Sequence, residues 1–225
     1  MGTDRITPDY ETAALKAVQI LTVRRISATP IDPIPIIKSL PNVLMVTYAD
    51  MARTTGVDRA HVVPLFGDRN QDAVTSVIRD GDALRYIVTY NQRLPYYLLQ
   101  RALARELGHI VLGHDGTLPV QVRNEEALVF ARYLMCPRPL IRALQESGIN
   151  LTVEVLGNIT GCYEHCLEGI RTTPGIRIPG IANVIMRGQF ADFVDDFVRY
   201  QAAVQDEDHS PLADFGTYMD GYTED

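Results

Sequence analysis

Four side chains that can do chemistry stand close together in the middle of the chain: Arg105, Glu106, His109 and His114. Zinc-dependent peptidases place two histidines four residues apart on one face of a helix, and a glutamate follows the first histidine. The histidines bind the metal, and the glutamate takes a proton from the metal-bound water. Glu106 and His109 occupy two of these three positions, but Arg105 stands where the first histidine belongs. The run therefore indicates a zinc-peptidase site that has lost one metal ligand.

The residues around this run predict a long helix from Tyr96 to His114. Leu99, Leu103 and Leu107 recur every four residues, which places them on one side of a helix. Pro95 suits the first turn of such a helix, because proline has no N–H to leave unpaired there. The helix would carry all four chemically capable side chains.

Other elements are predicted on both sides of this helix. Strand-like runs over 73–78 and 84–90 are separated by a link with an Asp-Gly pair, which is typical of a β-hairpin. A second helix is predicted from Asn124, as its N-cap, to Pro137. Further helices are predicted over 11–25, 36–40, 139–146 and 189–204, a strand over 43–48, and a helix-turn-helix outline over 153–170.

Two blocks of sequence resemble one peptidase family. The first resembles the active-site helix of the ImmA/IrrE-type metallopeptidases, whose usual form here is His-Glu-Leu/Ile-Gly-His, and comprises Leu103, Ala104, Glu106, Leu107, Gly108, His109, Ile110, Leu112, Gly113 and His114. The second resembles the family's downstream helix and comprises Glu125, Glu126, Ala127, Phe130, Ala131, Leu134, Met135 and Pro137. The resemblance extends over about residues 13–171 and is most specific between Tyr86 and Leu140.

This resemblance implies a fold, a site and a substrate. The fold would be α+β, a zincin-like metallopeptidase domain with a small, mainly antiparallel sheet, the active-site helix and additional C-terminal helices. His109 and Glu126 would bind zinc, and Glu106 would be the general base. Family members are cytoplasmic peptidases, and several cleave a repressor with a helix-turn-helix DNA-binding domain, which lifts repression of a mobile element or a stress regulon. The implied function is therefore that of a metallo-endopeptidase acting on such a repressor, which would be the protein partner.

Arg105 departs from the family pattern at a metal-ligand position. A guanidinium stays protonated and has no lone pair to give to a metal. Arg105 and His109 are neighbours on one helix face, so a positive charge would lie roughly 5 Å from the metal position, which costs on the order of several kcal/mol. We therefore expect zinc to bind weakly or not at all.

Three interpretations of Arg105 remain open from the sequence. In the first, Arg105 takes the electrostatic role of the metal and pairs with Glu126 or Glu106, which gives an inactive pseudo-peptidase that binds a repressor. In the second, Arg105 turns away and another group, such as His114, rescues the metal site; His114 lies roughly 140° round the helix from His109, so the helix end would have to distort. In the third, the helix is packed scaffold without a site.

Composition and charge exclude several classes of function. The chain has 225 residues, 46% hydrophobic and 22% charged, as a globular protein does. No apolar run approaches the roughly 18 to 20 residues of a membrane span, and no signal-peptide pattern is present, so we expect a cytoplasmic protein with no membrane partner. Seven acidic residues and no Lys or Arg after Gln205 account for the net charge of −7. The rest is neutral, so we expect no direct contact with nucleic acid.

We expect three regions along the chain. Residues 1–140 would form the metallopeptidase-like domain, 141–204 a helical C-terminal part packed on it, and 205–225 an acidic tail that is either a solvated terminus or an arm that docks a partner. Cys162, His165 and Cys166 have a spacing that zinc sites use, but four ligands are needed, so we expect ordinary thiols.

Overall fold

The computed structural model describes residues 7–57, 72–81, 83–161, 176 and 178–206. The strands are β1 (Val43–Thr47), β2 (Ala73–Asp80) and β3 (Ala83–Tyr90). The helices are α1 (Tyr10–Val23), α2 (Pro33–Lys38), α3 (Tyr48–Thr55), α4 (Tyr96–Val111), α5 (Val120–Met135), α6 (Arg138–Glu146), α7 (Val153–Thr160), α8 (Gly180–Gln189) and α9 (Ala191–Asp206). The fold class is therefore α+β.

The sheet has the order β1-β3-β2, with β3 in the centre. β2 and β3 form an antiparallel hairpin that runs from the pair Ala73 and Tyr90 to the pair Asp80 and Ala83. β1 pairs with the other side of β3 in parallel, with Val43 opposite Tyr86. The hairpin confirms the prediction from the Asp-Gly pair, and Gly81 in its turn has a φ of 61° that glycine adopts without a steric cost. The parallel pair was not predicted.

Three helices form the layer that carries the site. α5 packs against both α4 and α1, and α4 also contacts β2 and β3. α5 is apolar on most sides because it lies between two helices, and Ala127, Phe130 and Leu134 are fully buried. At the crossing of α4 and α5 a side chain on Gly108 would lie 3.0 Å from the carbonyl oxygen of Ala127. Glycine at this position lets the two site helices approach each other closely.

One buried apolar cluster connects elements from both ends of the described chain. It includes Leu21 of α1, Leu107 of α4, Leu144 of α6 and Phe197 of α9. α1 begins at a cap in which the Asp9 carboxylate accepts the Thr12 N–H at 2.9 Å, so the chain enters this cluster from a fixed point. The C-terminal helices therefore share a core with the site helices.

Several element boundaries differ from the sequence-based expectation. α4 ends at Val111 rather than at His114, and α5 begins at Val120 rather than after Asn124. The strand predicted over 43–48 stops at Thr47, because the Thr47 hydroxyl accepts the Asp50 N–H and begins α3. α3 and α8 were not predicted.

The cysteine and histidine cluster near residue 165, the second half of the predicted helix-turn-helix outline and the acidic tail after 206 lie outside the described residues. Among the helices that are described, none combines the length and the apolar character needed to cross a lipid bilayer.

We expect Gly108→Ala to destabilise the protein by about 1–3 kcal/mol, because its methyl group would press on the backbone of α5. Gly188→Ala in α8 is the matched control: no atom lies within 4 Å of its new methyl group, so it should be neutral or stabilise by about 0.5–1 kcal/mol. Urea unfolding of both variants measures the difference. Equal stability of the two would contradict the close approach of α4 and α5.

Candidate functional site

The end of α4 turns sharply and brings His114 back towards His109. The helix is capped at Leu112, and Gly113 follows with a φ of 68°, a left-handed conformation that favours glycine. The His114 N–H then donates to the His109 carbonyl at 3.0 Å. In a continuous helix the His114 side chain would point away from His109. The turn at Gly113 is therefore the distortion of the helix end that His114 needs to reach the site. Arg79 of β2 binds Asp115 at 2.7 Å and ties the turn to the hairpin.

A chain of hydrogen bonds crosses the site from α4 to the start of α1. The Nδ1 atoms of His109 and His114 are 2.9 Å apart, and His114 Nε2 lies 2.9 Å from Glu126 Oε2. The second oxygen, Glu126 Oε1, accepts the backbone N–H of Asp9 at 2.7 Å. His114 and Glu126 are both buried. The carboxylate of Glu126 is therefore held by two donors that come from different parts of the fold.

The hydrogen bonds constrain which nitrogens carry protons. An ionised carboxylate only accepts, so the proton between His114 and Glu126 belongs to His114 Nε2. With His114 neutral, its Nδ1 then accepts, and His109 Nδ1 must donate to it. A protonated His114 would instead donate from both ring nitrogens, with His109 Nδ1 as the acceptor, so two arrangements of protons satisfy the whole chain.

Arg105 and Glu106 form a second, looser contact. Arg105 Nη2 lies 3.4 Å from Glu106 Oε1, with the arginine side chain 38% exposed and the glutamate side chain 3% exposed. Burial raises the pKa of Glu106, and the charge of Arg105 and the nearby polar groups of Thr75 partly oppose that rise. The charge of Arg105 therefore partly offsets the burial of the Glu106 carboxylate on the same helix. The Glu126 carboxylate is instead bound by His114 and the Asp9 N–H.

The surroundings of His109 disfavour its charged form. Burial is the largest cause, and the charges of His114, Arg105 and Arg123 add to it, so that the pKa of His109 falls to about 3. His109 is therefore a neutral hydrogen-bonding group near pH 7.

A pocket of about 160 Å³ opens onto these side chains. β2 forms one wall, and α4 and α5 form the other. Its lining residues are Ala73, Val74, Thr75, Val77, Arg105, Glu106, His109, His114, Val120, Arg123 and Asn124. A wider hollow of about 540 Å³ shares Arg105, Val120 and Asn124 with it. Arg105 thus stands between a small polar pocket and a more open surface.

These side chains do not fit a zinc ion as they stand. Zinc needs three or four donor atoms that converge on one point at roughly 2.0–2.3 Å. His114 hydrogen-bonds His109 through one ring nitrogen and Glu126 through the other. The three side chains are therefore bonded in series and do not converge on one point. Within the described residues no group of three His, Cys, Asp or Glu side chains is arranged to hold a metal ion. Arg105 adds a positive charge at the same place.

All five residues singled out from the sequence, Arg105, Glu106, His109, His114 and Glu126, lie at this one site. Arg105 contacts Glu106, and His114 binds Glu126. The sequence analysis missed the Asp9 N–H, Thr75, Arg123 and Asn124. Arg123 precedes Glu126 by three residues, so a helical projection would have placed it on the same face. No local pattern connects Asp9 or Thr75 to the site.

No family model, no curated protein and no solved structure matches this chain. The likeness to the ImmA/IrrE-type peptidases consequently depends on the two sequence blocks alone.

We expect His109 to stay neutral from pH 7 down to about pH 4 in the folded protein, with a pKa of about 3. The unfolded chain takes up this proton near pH 6.5, so His109 lowers the free energy of unfolding as pH falls from about 6.5 to 3 and has no effect above that window. NMR titration of the imidazole ring measures the pKa, and the same titration in urea is the control. A folded-state midpoint between pH 6 and 7 would contradict the buried hydrogen-bond chain.

We expect Glu106→Gln to raise the melting temperature at pH 7–8 by about 2–4 °C, since the variant avoids burying a charge. The raised pKa means that the penalty exists above that pKa and vanishes once the carboxyl is protonated, so the gain should shrink as pH falls towards 4. Glu125→Gln is the control, because Tyr10 and Gln121 donate to that carboxylate and lower its pKa. Thermal unfolding at several pH values tests both, and a gain for Glu125→Gln but not for Glu106→Gln would refute the assignment.

Proposed function

We propose that this chain is a pseudo-peptidase of the ImmA/IrrE type, which binds a helix-turn-helix repressor in the cytoplasm and regulates it without hydrolysis. The observation that carries the proposal is the hydrogen-bond chain from His109 through His114 to Glu126. The expected metal ligands His109 and Glu126 both hydrogen-bond to His114, so these donor atoms already have partners. Arg105 completes the argument, because it cannot bind a metal and its charge repels one.

The order of elements supports a zincin-like identity for the domain. A β-hairpin precedes the site helix α4, and the helix that carries Glu126 follows it, as the family resemblance implies. The site pocket opens between β2 and these two helices. The two sequence blocks thus occur in the order of elements that the family resemblance implies.

The edge of β2 supports binding of a protein segment. In the described part of the sheet β2 pairs only with β3, so its other edge is open to a further strand. Unpaired backbone groups on such an edge accept an extended peptide. A repressor segment added there would pass the pocket that contains Arg105. Binding of this kind requires no metal and no hydrolysis.

A second candidate is the metallo-endopeptidase itself, and Glu106 favours it. A buried glutamate with a raised pKa, beside a pocket, is suited to act as a general base. This candidate requires that zinc separates His109 from His114 and that Arg105 leaves the site. We rank it second because both rearrangements cost free energy before any metal is bound.

We expect the protein, after equilibration with micromolar zinc, to retain far less than one zinc per chain by mass spectrometry. Arg105→His should retain about one, because it removes the repelling charge and supplies a third ligand beside His109 and Glu126. Arg101→His, on an exposed position of the same helix, should gain none. Roughly one zinc in the unaltered protein would favour the peptidase.

We expect a co-expressed helix-turn-helix repressor from the neighbouring gene to form a complex with this chain and to remain intact. Glu106→Gln should still form that complex, since a binding protein needs no general base. Co-purification and mass spectrometry of the repressor measure both outcomes. Cleavage that stops in Glu106→Gln would establish the endopeptidase instead.

A further inference from the structure

Two arginines from neighbouring helices line the site pocket. Arg105 is on α4 and Arg123 is on α5. Arg123 Nε donates to the Leu118 carbonyl at 3.0 Å, which fixes the plane of its guanidinium. His109 lines the same pocket, and the positive charges of Arg105 and Arg123 both lower its pKa. The pocket therefore has two cationic groups, each with several donors.

Much of this donor capacity is unused within the described residues. Each guanidinium offers five N–H donors. Arg105 makes one long contact to Glu106, and its Nε is buried without a hydrogen-bond partner among those residues. Arg123 uses its Nε for the Leu118 carbonyl, which leaves the terminal nitrogens for another acceptor. A buried donor without an acceptor is costly, so an anionic group in the pocket would be stabilised.

The neighbouring acids are already engaged and do not supply that acceptor. Glu126 accepts from His114 and from the Asp9 N–H. Glu125 accepts from Tyr10 and Gln121. Asp115 binds Arg79 and Thr117 outside the pocket. Among the described residues that line the pocket, Glu106 is the one carboxylate, and it makes a single contact of 3.4 Å with Arg105.

The size and lining of the pocket indicate which anion it takes. A volume of about 160 Å³ admits a single small side chain. Val74, Val77 and Val120 line it, which suits the methylene groups of a glutamate or aspartate side chain. A planar carboxylate also matches the fork of a guanidinium. A doubly charged phosphate would be repelled more strongly by Glu106 and Glu126.

We infer that the pocket between Arg105 and Arg123 is a carboxylate-binding site that receives an acidic side chain from a protein segment extended along β2. The inference rests on the proposed function for the identity of that segment as part of the repressor. The carboxylate site itself is a property of the pocket.

Four short peptides test this site on the full chain, and both ends are blocked in all but the third. One has a central glutamate between valines, and its matched partner has glutamine there. A third has no acidic side chain but a free C-terminal carboxylate, and a fourth has a central phosphoserine. NMR titration that follows the arginine Nε–H signals gives the affinity of each. Arg105→Gln, Arg105→Lys and Arg123→Gln are the variants, with Arg101→Gln as the control on the same helix and outside the pocket.

We expect the glutamate peptide to bind at least about fivefold more tightly than the glutamine peptide, with the preference declining at high salt. Arg105→Gln and Arg123→Gln should each remove the preference, Arg105→Lys should keep part of it because the charge remains without the fork, and Arg101→Gln should not change it. If Arg105→Gln does not fold, Arg123→Gln and Arg105→Lys still decide the result.

Three results would overturn the inference: equal affinity for the glutamate and glutamine peptides, an equal loss in Arg101→Gln, or tighter binding of the phosphoserine peptide. Tighter binding of the free C-terminus would overturn the assignment to an acidic side chain. The peptides require no repressor. Failure here would therefore leave the proposed function standing, and repressor cleavage would remove the proposed function without altering the peptide result.

Discussion

The buried carboxylate of Glu126 is the constraint on which the rest of the site depends. A charge removed from water is stable only if donors surround it. The Asp9 N–H and His114 supply those donors from opposite directions. This requirement fixes where α1 begins, where α4 ends and how α5 faces both. The two glycines meet this requirement: Gly113 permits the turn to His114, and Gly108 permits the close approach of α5.

Under the proposed function, Arg105 takes over one role of a metal ion and not the other. A zinc ion neutralises the acids around it and also draws its ligands to one point. Arg105 compensates Glu106 by its charge, but it cannot attract the lone pairs of His109 or Glu126. The two histidines and Glu126 consequently bond to one another. The same arrangement leaves two guanidinium groups facing one pocket, which is a reason to expect acidic groups in the partner.

The sequence predicted those parts of the fold that depend on local patterns. The Asp-Gly pair and the alternating strands predicted the hairpin, and leucine spacing predicted α4. The parallel pairing of β1 with β3 was not predictable, because the partner strands are far apart in sequence. All five site residues were identified from motif positions, but the motifs did not predict which of them would bond to one another. For His114 the sequence left two positions open, off the site face in a continuous helix or at the site with a distorted helix end, because the outcome depends on the backbone turn at Gly113. The Asp9 N–H gives no sequence signal at all.

The bond between Asp9 and Glu126 joins residues that are 117 positions apart. Contacts so distant in sequence form late, because the chain must close a long loop before they contribute. During synthesis the start of α1 leaves the ribosome well before α5 exists. The hairpin and the α4–α5 pair are made of nearer segments, so they can assemble first. Completion of the site is therefore expected to be among the last steps of folding, and to report that α1 and α5 have met.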